Sequence, residues 1–136
     1  IRDRNIWDKI QDIDTLREIC KPKASFIACD DSPIQWKEGK TFVFKMYLHG
    51  FLPVGRHTIN VVKMDKTSRE IDTKEYDNTV VIWNHYIKME EISQQVTRYT
   101  DTVDLYAGCL TSIAAWWTLK FYKHRQRKWQ KIAKSL

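Results

Sequence analysis

Apolar and polar side chains alternate along much of the chain from residue 26 to residue 105, which predicts antiparallel strands with one buried face. The alternation is clearest between residues 40 and 48, where nearly every second side chain is apolar. We expect a sheet of six or seven strands, because turn-forming residues separate several such segments. The segments that predict strands are 26–29, 40–48, 56–64, 69–76, 81–89 and 99–105.

Both ends of the chain show helical spacing instead. Ile6, Trp7 and Ile10 predict a short first helix, and residues 15–20 predict a second one that ends before Pro22. Residues 108–134 predict a single long helix of roughly 40 Å at 1.5 Å per residue. Its inward stripe, read at 100° per residue, would consist of Tyr106, Leu110, Ile113, Ala114, Trp117, Phe121 and His124. Three aromatic residues fall outside this stripe: Trp116, Tyr122 and Trp129.

These elements predict an α+β protein in which a long C-terminal helix packs on an antiparallel sheet. The chain has 136 residues, and no linker or repeat divides it, so residues 1–136 are expected to form one domain. A space between helix and sheet would be lined by apolar and aromatic side chains, or filled by them as a solid core. The residues predicted to line it are Phe42, Phe44, Met46, Trp83, Met89, Tyr99, Leu110, Ile113, Trp117 and Phe121.

Two polar residues are predicted to share the inner face of the sheet. A hairpin folded about Ser93 would place His85 opposite Asp101. A carboxylate beside a buried imidazole orients the ring and stabilises its cation. The pair would then be a satisfied structural hydrogen bond, an anchor for a polar ligand group, or a catalytic base with its partner. His49 and His57 are expected at the surface or in turns.

The net charge of +6 belongs to one helix end, since residues 120–136 hold seven Lys and Arg and no acid. Such a run is typical of a solvated helix end, but it also suits weak contact with an anionic membrane or, less specifically, with nucleic acid. The three cysteines form no CxxC pair and suggest a reduced, cytoplasmic protein without disulfides or a metal site. No apolar segment reaches the roughly 20 residues of a membrane span, and no signal peptide is visible.

The order of the motifs resembles the START-like helix-grip superfamily, also called SRPBCC, and within it the polyketide-cyclase-like branch of ligand-binding proteins. The resemblance covers nearly the whole chain. It is carried by Trp7, by Glu38-Gly39-Lys40, by Trp83-x-His85 with Thr100-Asp101-x-Val103, and by Phe121-Tyr122-x-His124-Arg125. It implies a curved sheet wrapped around the C-terminal helix, with two short helices closing one end of an elongated hydrophobic cavity. The chain departs from the family at its start, where a strand is expected before the first helix.

The function expected from this resemblance is binding of a small hydrophobic or amphipathic ligand, without catalysis and without a cofactor. A cyclase or dehydratase that uses His85 with Asp101 is the enzymatic alternative. Surface binding through the basic helix end is the alternative from another class. The sequence contains no nucleotide-binding, dinucleotide-binding or metalloprotease motif.

Overall fold

The computed structural model describes residues 3–29, 35–94 and 96–135, with side chains from residue 6 onward within those ranges. It confirms the α+β architecture: a curved, open, antiparallel sheet with one long C-terminal helix and two short N-terminal helices. The helices are α1 (Asp3–Ile10), α2 (Ile13–Cys20) and α3 (Thr111–Ser135), the last preceded by a 3₁₀ turn at Gly108–Leu110. The strands are β1 (Ala24–Ala28), β2 (Thr41–Leu48), β3 (Leu52–Asp65), β4 (Glu70–Tyr76), β5 (Ile82–Ser93) and β6 (Val96–Tyr106).

The six described strands form a simple meander in which each strand pairs with the next along the chain. All of these pairs are antiparallel. The turn between β2 and β3 contains His49 and Gly50 at φ 53° and 82°, which lets the chain reverse tightly. His49 is exposed there, as predicted.

The predicted register of the last hairpin is wrong by two residues. His85 pairs with Val103 rather than with Asp101, and Asp101 lies opposite Ile87. The turn falls between Ser93 and Val96, after Ser93 rather than about it, and a register shift at Glu91/Ser93 accompanies it. Since side chains alternate with a period of two, this displacement leaves every side chain on its predicted face.

The core lies between the inner face of the sheet and the three helices. Phe42 and Phe44 on β2 are completely buried, and Phe26 and Trp36 pack against them edge to face. On the other side, α1 buries Ile6, Trp7 and Ile10, the residues whose spacing predicted it. The short helices thus close one end of the sheet, where α2 also contacts α3.

The predicted inner stripe of α3 is largely wrong. Leu110, Ile113 and Tyr106 are exposed by 46 %, 67 % and 53 %, and His124 is half-buried against the backbone carbonyl of Lys21. The buried stripe instead consists of Thr118, Phe121, Tyr122, Arg125, Trp129 and Ile132. Tyr122 and Trp129 were predicted to lie outside it, whereas Trp116 does lie outside, 60 % exposed. The helix is therefore rotated relative to the predicted orientation, and its buried side chains lie from Thr118 onward.

Cys20 at the end of α2 is fully buried, whereas Cys29 and Cys109 are exposed, and all three are free thiols. Burial raises the pKa of the Cys20 thiol to about 12, and a protonated thiol is a poor nucleophile. We expect iodoacetamide to modify two cysteines of the native protein at pH 8 and the third only in denaturant, as read by intact mass. Three rapid modifications without denaturant would show that the closed end formed by α2 opens readily.

Among the described residues, no helix is both long and apolar enough to cross a membrane.

Candidate functional site

A cavity lies in the interior between the sheet, α2 and α3. The space open to the centre of a water molecule is about 70 Å³. One water needs roughly 10–15 Å³ by that measure, so the cavity has room for several waters or a small organic group. Most of its walls are apolar or aromatic, and they include Ile19, Phe26, Trp36, Met46, Ile59, Val61, Ile71, Trp83, Ile87, Phe121, Tyr122 and Trp129. The polar side chains are fewer and comprise Thr15, His57, Thr73, Glu75, His85 and Arg125.

His57 lies at the centre of a buried ionic cluster, so the prediction that it lies at the surface or in a turn is wrong. It is 2 % exposed and shares the inner face of β3 with Ile59 and Val61. Its Nε2 lies 2.8 Å from Glu75 Oε1, and its Nδ1 lies 3.1 Å from Asp77 Oδ2. Two carboxylates that accept from both ring nitrogens require both nitrogens to be protonated. The ring is therefore an imidazolium.

The electrostatics agree with that geometry. Burial by itself would lower the pKa of His57, but the hydrogen bonds to Asp77 and Glu75 outweigh it and raise the pKa to about 9. Burial opposes ionisation of Glu75 and Asp77 as well, yet the hydrogen bond and charge of His57 hold both carboxyl pKa values below their usual range. The three groups are therefore charged together at neutral pH.

His85 and Asp101 are hydrogen bonded, as predicted, although the pair is diagonal across the two strands. His85 Nε2 lies 2.6 Å from Asp101 Oδ1, and both side chains are nearly inaccessible to solvent. Gln126 of α3 donates to the other oxygen of Asp101 at 3.1 Å. Burial by itself would raise the pKa of Asp101. The hydrogen bond from His85 and the charge of that ring outweigh burial, so the carboxyl pKa lies below its usual value. His85 faces the cavity, whereas Asp101 lies behind it, towards a groove between β6 and α3.

Every carboxylate oxygen in this network has a hydrogen-bond donor. Glu75 Oε2 accepts from Thr73 Oγ1 at 2.6 Å, while Asp77 Oδ1 accepts from the backbone N–H groups of Thr79 and Val80. With the bonds from His57, His85 and Gln126, both oxygens of Glu75, Asp77 and Asp101 are satisfied. The carboxylates of this network are therefore satisfied by hydrogen-bond donors of the protein itself.

Aromatic side chains hold the network in place. Trp83 Nε1 donates to Tyr122 Oη at 3.1 Å, and the Tyr122 ring lies 4.7 Å from that of His85, centroid to centroid. The ring of Trp83 also contacts His57 edge on, at 5.2 Å. Tyr122 thus contacts His85 directly and His57 only through Trp83, and burial raises the pKa of its hydroxyl.

A second, more open groove of about 250 Å³ lies beside the first half of α3. Met46 and Trp83 line both spaces and separate them. The groove is almost entirely apolar and is lined by Met46, Leu48, Val54, Val80, Trp83, Leu110, Ile113, Ala114 and Trp117, with Asp77, Thr79 and Thr118 as its polar residues.

The structure divides the predicted ligand-lining residues into four sets. Phe121 and His85 line the cavity, Met46 and Trp83 line both spaces, and Leu110, Ile113 and Trp117 line only the groove. The rest line neither space: Phe42, Phe44 and Met89 are core residues, Tyr99 packs against Trp129, and Asp101 supports His85. Most of the cavity lining was missed by the sequence analysis, including the polar or charged residues His57, Glu75, Tyr122 and Arg125.

No group of three or more His, Cys, Asp or Glu side chains within the described ranges is arranged to hold a metal ion. Comparison of the chain with protein-family models, curated proteins and solved structures finds no match. The site must therefore be interpreted from its own geometry.

Proposed function

We propose that this protein binds a small amphipathic organic molecule in the cavity between the sheet and α3. The supporting observation is an interior space that combines apolar walls with a fixed polar network. Ligand sites are typically concave and apolar, with a few placed polar groups that orient the ligand. The apolar body of the ligand would contact Ile59, Val61 and Phe121, and its polar end would lie beside His85 and Arg125.

The apolar groove would serve as the route of entry. It adjoins the cavity at Met46 and Trp83, and the unbranched Met46 side chain changes shape at low cost. Leu110 and Ile113 are exposed at its outer rim, where an apolar molecule would first contact the protein. Such a route gives a role to the exposed and half-buried apolar side chains in the first half of α3.

A pair of adjacent valines on β3 offers a matched test. Val61 lines the cavity and is 2 % exposed, whereas Val62 points outward and is 48 % exposed. We expect Val61→Phe to fill the cavity and to weaken ligand binding at least tenfold, while Val62→Phe leaves binding unchanged. Binding is measured by thermal shift and calorimetry with small aromatic and aliphatic acids, amides, alcohols and amines, and by native mass spectrometry of protein isolated from its own host.

Val61→Phe should fold, because the added ring would occupy space that is empty of protein atoms. Failure of all compounds to bind the unmodified protein, together with the absence of any adduct mass, would refute the proposal. Equal ligand binding by the two phenylalanine variants would instead place the ligand outside the cavity.

An enzymatic role remains the second candidate, because His85 faces the cavity and is oriented by a carboxylate. Its Nε2 is held by Asp101, so Nδ1, which lies 3.9 Å from Glu75 Oε2, would be the nitrogen that exchanges a proton. We expect His85→Gln to keep ligand affinity and to abolish turnover if the protein is a cyclase or dehydratase. Unchanged turnover in that variant would exclude His85 as the base.

A further inference from the structure

Arg125 is a buried cation without an ion-pair partner among the described residues. It is 6 % exposed on the inner face of α3 and lines the cavity. Within the described part of the chain its guanidinium makes neither a hydrogen bond nor an ion pair, and its buried Nε is unsatisfied. Its described contacts are with ring faces, since the guanidinium carbon lies 4.9 Å from the centroid of Tyr122 and 5.8 Å from that of Phe121.

Burial of the Arg125 guanidinium costs free energy unless a further group binds to it. Arginine keeps its charge in proteins, and removal of an ion from water costs several kcal/mol that ring faces recover only in part. Asp101 attracts the Arg125 charge without forming an ion pair, and the oxygens of the cavity carboxylates are held by other donors. The unused hydrogen-bonding capacity of the cavity therefore consists of donors.

Two neighbouring groups add to that capacity. Trp129 lies one helical turn after Arg125, also lines the cavity, and has an unsatisfied Nε1. Tyr99 on β6 has a buried hydroxyl that makes no hydrogen bond of standard geometry with a described residue, although it lies near Trp129 and Asp101, and its ring lies 5.8 Å from that of Trp129. All three unsatisfied buried side-chain atoms of the described residues can thus donate a hydrogen bond, and they belong to one side of the interior.

We propose that Arg125 binds the carboxylate of a small organic acid, with Trp129 as an additional donor. The proposal rests on the proposed ligand-binding function and specifies its ligand class. A planar guanidinium matches a carboxylate through two parallel N–H···O bonds. A monoanion suits a single spare cation better than a phosphate dianion does, because Glu75 also lines the cavity. The apolar walls require that the rest of the acid be a compact hydrocarbon or aromatic body.

The test compares isosteric acids and amides. Benzoate is paired with benzamide and hexanoate with hexanamide, and each is titrated into the unmodified protein by calorimetry at pH 7. We expect at least one acid to bind about tenfold or more tightly than its amide, as charge-assisted hydrogen bonds predict. Amide binding that is equal to acid binding would overturn the role of Arg125 while leaving the proposed function intact. Absence of binding by all four compounds would count against both.

Variants at Arg125 then assign the preference to this residue. Arg125→Met should abolish discrimination between acid and amide and should leave the ligand-free protein at least as stable, because an unpaired buried charge is removed. Arg125→Lys should restore part of the preference, since it keeps the charge but loses the two-pronged geometry. Arg127→Met is the control, because Arg127 is exposed two residues further along the same helix.

Three outcomes would overturn the assignment. The first is a preference for acids that survives in Arg125→Met. The second is a large loss of stability in that variant without ligand, which would make the guanidinium a structural group. The third is that sulfate or chloride stabilises the protein as much as the organic acids do, in a manner that depends on Arg125. The site would then bind inorganic anions and would not recognise the organic part of a ligand.

Discussion

Replacement of His57 by leucine is expected to destabilise the protein by about 3–5 kcal/mol, the usual cost of breaking a buried ion pair from one side. The imidazolium lies within 2.8 Å of Glu75 and 3.1 Å of Asp77, and all three side chains are at most 10 % exposed. Leucine would leave two buried carboxylates close together without a cation. Since a domain of this size is stabilised by about 5–15 kcal/mol in total, such a loss is a large fraction of its stability.

Urea unfolding of His57→Leu at pH 7 gives the measurement, and Arg56→Leu is the matched control. Arg56 precedes His57 on β3 but is exposed on the outer face, so its loss should change the free energy of unfolding by about 0.5 kcal/mol or less. A second change, Glu75→Leu, should recover part of the stability of His57→Leu, because it removes one of the stranded charges. Equal effects of His57→Leu and Arg56→Leu would show that the cluster contributes little to folding.

The strand pattern was predictable because the buried face of an antiparallel sheet imposes a period of two. Phe42, Phe44 and Met46 on β2 are buried as the alternation predicts. The register of the last hairpin was less certain, because turn position and strand bulges set it and neither is fixed by alternation. A displacement by two residues kept His85 and Asp101 on one face, so the predicted contact formed despite the wrong register.

Apart from His85, the polar side of the cavity was missed, because most other polar residues were expected to face outward. His57 is in phase with Ile59 and Val61, and that phase by itself predicts an inward histidine. Thr73 and Glu75 similarly continue the inward phase of Ile71 on β4. Buried charges look like surface charges in a sequence, since the partners that make burial tolerable come from other strands.

The predicted buried face of α3 was wrong for a related reason. In the sequence, Arg125 belongs to the run of basic residues that predicts a solvated helix end. The predicted inward stripe therefore passes through Leu110, Ile113 and Trp117 and leaves Arg125 out. In the structure the other described cations of this segment, from Lys120 to Lys134, are exposed or half-buried, and Arg125 alone among them is buried. A stripe fitted through Phe121, Arg125, Trp129 and Ile132 would have identified both the correct face and the cavity cation.

The stability of the protein is expected to fall by roughly 3 kcal/mol between about pH 6.5 and pH 9 through His57 alone. Its pKa is about 9 in the folded protein, against an ordinary value of 6.5 that the unfolded chain would show. Because the folded value is the higher one, the contribution is complete below the unfolded pKa and disappears as the pH rises through the folded pKa. The carboxyl groups of Glu75 and Asp77 have lowered pKa values, so their contributions are lost only in acid.

The measurement is the free energy of unfolding in urea at intervals from pH 6 to pH 9, compared with that of His49→Asn. His49 is exposed in a turn with positive φ, which asparagine tolerates, so this control should show the same decline as the unmodified protein. His57→Leu should lack most of the decline, and an NMR titration of the His57 ring supplies the same information if that variant does not fold. A flat profile in the unmodified protein, or a His57 ring that titrates near its ordinary pKa, would mean that the imidazolium is not held between the two carboxylates in solution. The net charge of the polar wall would then be lower by one unit, and an anionic ligand would bind less favourably beside Arg125.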